Sequence, residues 1–167
     1  MITNLKDLYF DQLRDIYSAE NQLVSALPEM IAHATHQDLR KAFADHLEET
    51  KNHVTRLDQI CADHGISPSG EECDAMRGLI KEAKKHLAET TPGEVRDAVL
   101  IASANRVEHY EIAAYGVTKA FALTLGFDKA AELLDETLQE EGNADKVITK
   151  IATGGIFSTG VNQGAVN

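Results

Sequence analysis

Glu108 and Glu111 stand one helical turn apart in VEHYEIAAYG, residues 107–116, between LIASAN upstream and VTKAFA downstream. The flanks read as a buried helix. An ionised carboxylate buried there costs several kcal/mol unless it is paired or coordinated. The same conflict recurs on every long helical stretch. Glu20 has Leu13, Ile16, Leu23, Val24 and Leu27 at offsets of three, four and seven. Glu49 lies three residues after His46 and four before His53, and both histidines sit in the apolar row with Phe43, Leu47, Val54 and Leu57. Glu140 borders Leu133 and Val147; Glu141 borders Leu134, Leu138 and Ile148, with Asp145 a turn later.

A single glutamate beside an apolar row is ordinarily a solvated edge residue, and a histidine there is ordinarily hydrogen-bonded. One carboxylate per helix, each near mid-helix, is a different pattern. Such groups repel one another unless protonated or bound to cations, and two divalent cations neutralise four of them. Carboxylate mixed with imidazole suits iron, manganese or zinc; a pair of divalent ions, iron first, is the expected cofactor. The candidate metal ligands are Glu20, Glu49, His53, Glu108, Glu111 and Glu140, with His46, Glu141 and Asp145 ranked below them. Tyr17 and Tyr115, one turn from Glu20 and Glu111, are candidate catalytic residues that hydrogen-bond ligands or carry an oxidising equivalent. The alternative for both is a core tyrosine with a satisfied hydroxyl. The common Glu-x-x-His pair is missing. The second long helix offers Glu49-x-x-x-His53 or His46-x-x-Glu49, and the last offers no histidine, leaving Asp145 as a substitute.

Helical periodicity supplies the elements that must position these residues. A first helix is predicted over Thr3–Ala34, with Pro28 inside it. A second begins at Thr35 as N-cap and ends at HGISP, where Gly65 suits a left-handed C′ position. A short helix covers about Cys73–Ala88. Thr91, Pro92 and Glu94 read as the opening of a third long helix that ends near Leu125, and Asp128 as the cap of a fourth that ends near Ala152. Two antiparallel pairs joined by one long crossover make an all-α, ferritin-like four-helix bundle whose second-to-third connection carries a short fifth helix. The bundle is expected over residues 1–153. The glycine-rich tail, residues 154–167, is expected to be an extended arm or disordered.

The 167-residue chain carries a formal net charge of −11, which argues against nucleic acid and anionic membrane as partners. No apolar run suffices to span a bilayer, and MITNLKDLYFDQLRD lacks the pattern of a secretory signal, so a cytoplasmic location is expected. Cys61 and Cys73 are then expected as reduced thiols. No four-cysteine module is present, so reducing equivalents have to come from an electron donor the sequence does not identify. Long exposed helix faces predict a homodimer.

The stretches YSAENQL, HLEET, AMRGLI, EVRDA, VEHYEIAAYG and LDETLQEE resemble the YciE/YciF-type family of ferritin-like bacterial stress proteins, over about residues 3–152. The resemblance implies a dimer of four-helix bundles, a rubrerythrin-like di-metal site and an association with general stress. It carries ligand roles onto Glu20, Glu49, Glu108, Glu111 and one of Glu140 or Glu141. The Glu108-x-x-Glu111 pair looks like the two-carboxylate helix of rubrerythrins, where carboxylates move between metals. Three functions follow as expectations: a di-metal protein consuming oxygen or peroxide, an iron-binding or storage protein, and a structural stress protein. A catalase-like variant of the first is weakened by the lack of a histidine on the last helix.

Overall fold

The computed structural model describes residues 1–155 and 158–166. Among them the helices are α1 (Leu5–His33), α2 (Gln37–His64), α3 (Asp74–Ala88), α4 (Glu94–Thr124), α5 (Asp128–Thr153) and α6 (Val161–Gly164). α1 packs along α2 and α4 along α5, each pair joined by a short connection, while α3 sits in the long crossover against α4 and α1. This is the all-α, ferritin-like arrangement expected from the sequence.

Each long helix forms because its apolar residues recur at helical spacing and meet the same core. The buried row of α1 is Tyr9, Leu13, Ile16, Ala19, Glu20, Leu23, Ala26, Leu27 and Met30. The core falls into two apolar clusters. Leu23, Leu27, Phe43, Leu100, Ala104 and Ile148 belong to one. Leu13, Ile16, Leu57, Ile60, Tyr115 and Leu134 belong to the other. Every long helix passes from one cluster to the other. Glu20, His46, Thr50, His53, Glu108, Glu111 and Glu141 are all buried in the stretches between. The fold therefore builds a polar layer across the middle of the bundle.

The ends of the helices hold that register. Gly65 has φ 67°, and the amide of Ile66 donates to Cys61 O at 3.0 Å, the αL stop expected from HGISP. The start of α2 differs from expectation. Thr35 does not cap it; Gln37 is its first residue, and His36 before it makes no side-chain cap. Asp97 of α4 instead accepts the amides of Thr35 and His36, both at 2.8 Å, and the Thr35 hydroxyl. A buried carboxylate from another helix does what a local cap does elsewhere, tying the α1–α2 corner to α4. Thr91 does not cap α4; Pro92 and Gly93 form a turn after it, and α4 begins at Glu94 with Gly93 before it.

The tail also differs from the expected free arm. Among its described residues, Gly154–Gly155 pairs antiparallel with Ser158–Thr159, and α6 packs on α4 and α5. Val161 is buried in the first cluster. The glycines permit this, because a Cβ on Gly160 would collide with Ala152 O and Gly154 N. Cys61 and Cys73 are buried free thiols. No helix among the described residues is long and apolar enough to cross a membrane.

Candidate metal centre

Six side chains from four helices meet in the polar layer: Glu20 from α1, His46 and His53 from α2, Glu108 and Glu111 from α4, and Glu141 from α5. All six are buried. They form two overlapping groups. Ligand atoms of His46, Glu108, Glu111 and Glu141 lie within 4.8 Å of one another, and so do those of Glu20, His53 and Glu141. Glu141 belongs to both.

The atoms face one another without hydrogen bonding. His46 Nε2 is 3.4 Å from Glu108 Oε1 and 3.9 Å from Glu141 Oε2. His53 Nδ1 is 3.0 Å from Glu141 Oε1 and 3.3 Å from Glu20 Oε1. Yet both His46 nitrogens, His53 Nδ1 and both Glu141 oxygens lack an aligned hydrogen-bond partner. Of eleven such buried side-chain atoms among the described residues, nine belong to these six side chains. Buried polar groups are normally satisfied. Ligand atoms set about 2.0–2.2 Å from a cation lie about 3 Å from each other. The donor set and its spacing thus fit divalent cations held at the centre.

Each histidine points one nitrogen inward and the other at an outer carboxylate. His46 Nδ1 faces Glu49 Oε2 at 3.5 Å, and His53 Nε2 faces Glu140 Oε2 at 2.9 Å. Glu140 is itself held by Arg56, with Nη2 to Oε1 at 2.9 Å and Nη1 to Oε2 at 2.5 Å. The Glu49 and Glu140 side chains are 39% and 34% exposed, whereas those of Glu20, Glu108 and Glu141 are 0–2%. Glu49 and Glu140 therefore stand outside the cluster, behind the imidazoles. Asp145 also stands outside, accepting from Asn105 at 2.7 Å and facing His109. Tyr115 is buried and donates to Glu20 Oε1. Tyr17 is half-buried on an open cleft beside Ser18 and Asn21.

Charge accounts for the protonation of the cluster without cations. Burial pushes Glu108 and Glu111 well above the usual carboxylate range, and the neighbouring Glu141 adds to it. Burial also raises Glu20, against the opposing pull of His53. Burial would raise Glu141 too, but His53 and His46 hold it low. Burial would lower His53; the Glu141 and Glu20 carboxylates outweigh it and push it up to about 10. Four carboxylates and two imidazoles are then balanced partly by protons, which divalent cations displace on binding.

Sequence reading found every residue of the cluster among its candidates, but not Arg56, whose signal is its position one turn after His53. Nor did it note that Thr50 and Ala144 occupy the partner positions of a Glu-x-x-His pair. Thr50 lies three before His53, and Ala144 lies three after Glu141. His46, one turn before Thr50, brings a second imidazole to the centre from α2 rather than from α5.

Comparison with known proteins agrees with this architecture. Residues 4–163 match the family described as "Domain of unknown function (DUF892)". Protein YciF of Escherichia coli strain K12 is 41% identical over 160 residues, 95% of this chain and 96% of that protein. The crystal structure of the E. coli stress protein YciF superposes with a TM-score of 0.86 at 43% identity, covering 89% of this chain and 94% of that one. YcfI of Rhodopseudomonas palustris gives 0.88 at 44% identity, covering 90% and 96%. A protein of Xanthomonas campestris shares the fold at 17% identity, with a TM-score of 0.69 over 88% of this chain and 89% of that one. With the family match spanning nearly the whole chain, this protein belongs to the DUF892 family, the YciF-type stress proteins.

Proposed function

We propose that this chain is a di-metal carboxylate protein that binds two divalent ions, iron first and manganese or zinc as substitutes, and reacts with oxygen or peroxide. The observation that carries the reading is the convergence of nine unpartnered buried atoms on one layer. Glu20 and His53 would hold one ion, and His46, Glu108 and Glu111 the other. Glu141, which belongs to both groups, would be the shared carboxylate. Four carboxylates match the charge of two divalent ions, and mixed carboxylate–imidazole donors suit iron and manganese.

A ferrous pair supplies two electrons, the number that converts one peroxide and two protons into two waters. The chain supplies position and proton control. Arg56 fixes Glu140, which accepts from His53 Nε2 and turns Nδ1 inward. Glu49 Oε2 lies behind the His46 ring, 3.5 Å from Nδ1 and without an aligned hydrogen bond. Outer carboxylates of this kind fix the tautomer and orientation of a ligating imidazole. Tyr115 holds Glu20 by its hydroxyl and is the buried phenol beside the layer.

A homodimer accompanies this reading, supported by Val117 and Leu123, two exposed apolar residues of α4. A second reading, in which the ions only hold the bundle together, is favoured by the near-complete burial of all six ligands. The two are separated by loading metal-free protein anaerobically with ferrous iron, counting bound metal, and mixing with peroxide and with oxygen. About two ions per chain and rapid oxidation are expected for the redox reading. Bound iron that does not oxidise leaves only the structural reading, and protein that binds no metal after growth in iron and in manganese overturns both.

A further inference from the structure

Three spaces line up between the surface and the polar layer. The outermost is an open cleft of about 500 Å³ whose walls include Ala26, Ile80 and Lys84. The same three residues bound a small cavity of about 20 Å³ between α1, α3 and α4. Leu23, Met30 and Val107 close its inner side. Those three in turn line a third space of about 10 Å³, which His46 and Glu108 complete. Each space shares a wall with the next, and the last touches two of the proposed ligands.

We infer that this row of spaces is the path by which dioxygen reaches the metal centre, entering between α1 and α3 and passing Leu23, Met30 and Val107. The inference rests on the di-metal reading and deepens it by naming the oxidant. Size is the first reason. A cavity needs roughly 10–15 Å³ to hold one water-sized molecule. The outer cavity, at about 20 Å³, admits a diatomic and little more. Polarity is the second. Leu23, Ala26, Met30, Leu79, Ile80 and Val107 offer no hydrogen bonds. Ser103 Oγ is the one buried, unpartnered hydroxyl on that wall. Peroxide, with two O–H groups and four lone pairs, would lose most of its hydration there. Dioxygen loses almost none.

The walls also suit passage. Met30 is flexible and unbranched, the side chain type that most readily opens a gap in a core. At the mouth Lys84 Nζ pairs with Glu29 Oε2 at 2.8 Å, both half-exposed, so the polar rim ends where the apolar lining begins. The approach to His46 and Glu108 thus runs through a mainly apolar lining, in which Ser103 Oγ is the polar group inside the rim.

The test has two arms. In the first, full-length protein free of paramagnetic metal is placed under oxygen pressure, and methyl relaxation is measured by NMR. Enhancement concentrated at Leu23, Met30, Leu79, Ile80 and Val107, compared with methyls of equal depth in the other cluster, is expected; uniform enhancement overturns the path. This arm holds even if no iron pair forms. In the second, Val107→Phe and Ala26→Met fill the passage at its inner and outer ends. Oxidation of bound iron by oxygen should slow about tenfold in whichever variant folds, with metal content unchanged and peroxide oxidation within about twofold, because overpacking adds a barrier of that size. An unchanged oxygen rate overturns the path, and equal slowing with both oxidants overturns its selectivity for dioxygen.

Discussion

His53 Nε2 lies 2.9 Å from Glu140 Oε2, while Nδ1 of the same ring faces Glu20 and Glu141 across the core. One imidazole thus joins a half-exposed carboxylate, clamped by Arg56, to the centre of the bundle. Neutral Glu140→Gln keeps the shape but weakens this hold. Metal stoichiometry should stay at two per chain while affinity falls about 10–100-fold, the usual effect of losing a supporting group. Competition with a chelator of known strength measures it. Loss of one ion outright would make Glu140 a direct ligand instead.

Glu141 belongs to both ligand groups and Glu111 to one. Glu141→Ala should therefore abolish binding of both ions, whereas Glu111→Ala should retain metal with about 10–100-fold lower affinity and a larger loss in oxidation rate. Glu111→Ala also removes a buried carboxyl whose protonation is favoured by burial. Metal-free Glu111→Ala should melt at or above the wild type, because both oxygens of that buried carboxyl lack a hydrogen-bond partner and an unsatisfied buried polar group destabilises. Metal analysis, stopped-flow oxidation and melting curves of both variants check this. Equal metal loss in the two variants would reject the shared role of Glu141.

Asp97 takes three hydrogen bonds from the α1–α2 corner. Asp97→Ala leaves two backbone amides without their acceptor and should cost about 2–4 kcal/mol. Urea unfolding at fixed metal loading gives the value. A change below about 0.5 kcal/mol, the range of ordinary surface substitutions, would show that water replaces Asp97 freely.

His64 ends α2 against Tyr9, Phe10 and Phe127, with Tyr9 Oη 3.2 Å from Nε2 and the Phe127 ring 4.5 Å away. Burial lowers its pKa below 6.5, helped by Lys6 and opposed by Asp63. The folded state prefers the neutral ring. That contribution is fully present above pH 6.5 and is lost as pH falls through the lower folded value. Between about pH 7 and 5, wild type should lose more stability than His64→Phe, read from melting temperatures across that range. Parallel pH profiles would remove His64 as the cause.

Val117 and Leu123 are 47% and 53% exposed on α4, whose apolar residues surround the helix rather than forming one stripe. Light scattering should give a dimer mass at micromolar concentration. Val117→Glu combined with Leu123→Glu should shift it to monomer without changing metal content, since charge on an apolar interface opposes burial. A dimer unaffected by the double change would place the interface elsewhere.

Much of this is legible in the chain. Spacing alone distinguishes four long helices, the crossover helix and the Gly65 stop, because periodicity and αL glycines are local properties. The positions of Glu20, Glu108 and Glu111 among apolar neighbours likewise follow from one helix at a time. Choosing between Glu140 and Glu141 does not. Adjacent residues on a helix diverge by about 100°, and both border apolar residues. The roll of α5 against α2 decides, turning Glu141 to the centre and Glu140 to Arg56. The same holds for Glu49, which the sequence places midway between two histidines and the tertiary structure leaves at the edge behind His46. Asp97 as a remote cap and the docked tail at Val161 are long-range contacts with no local pattern to announce them. Periodicity determines which face of a helix is buried; only the packing of four helices decides which side chains within that face meet one another.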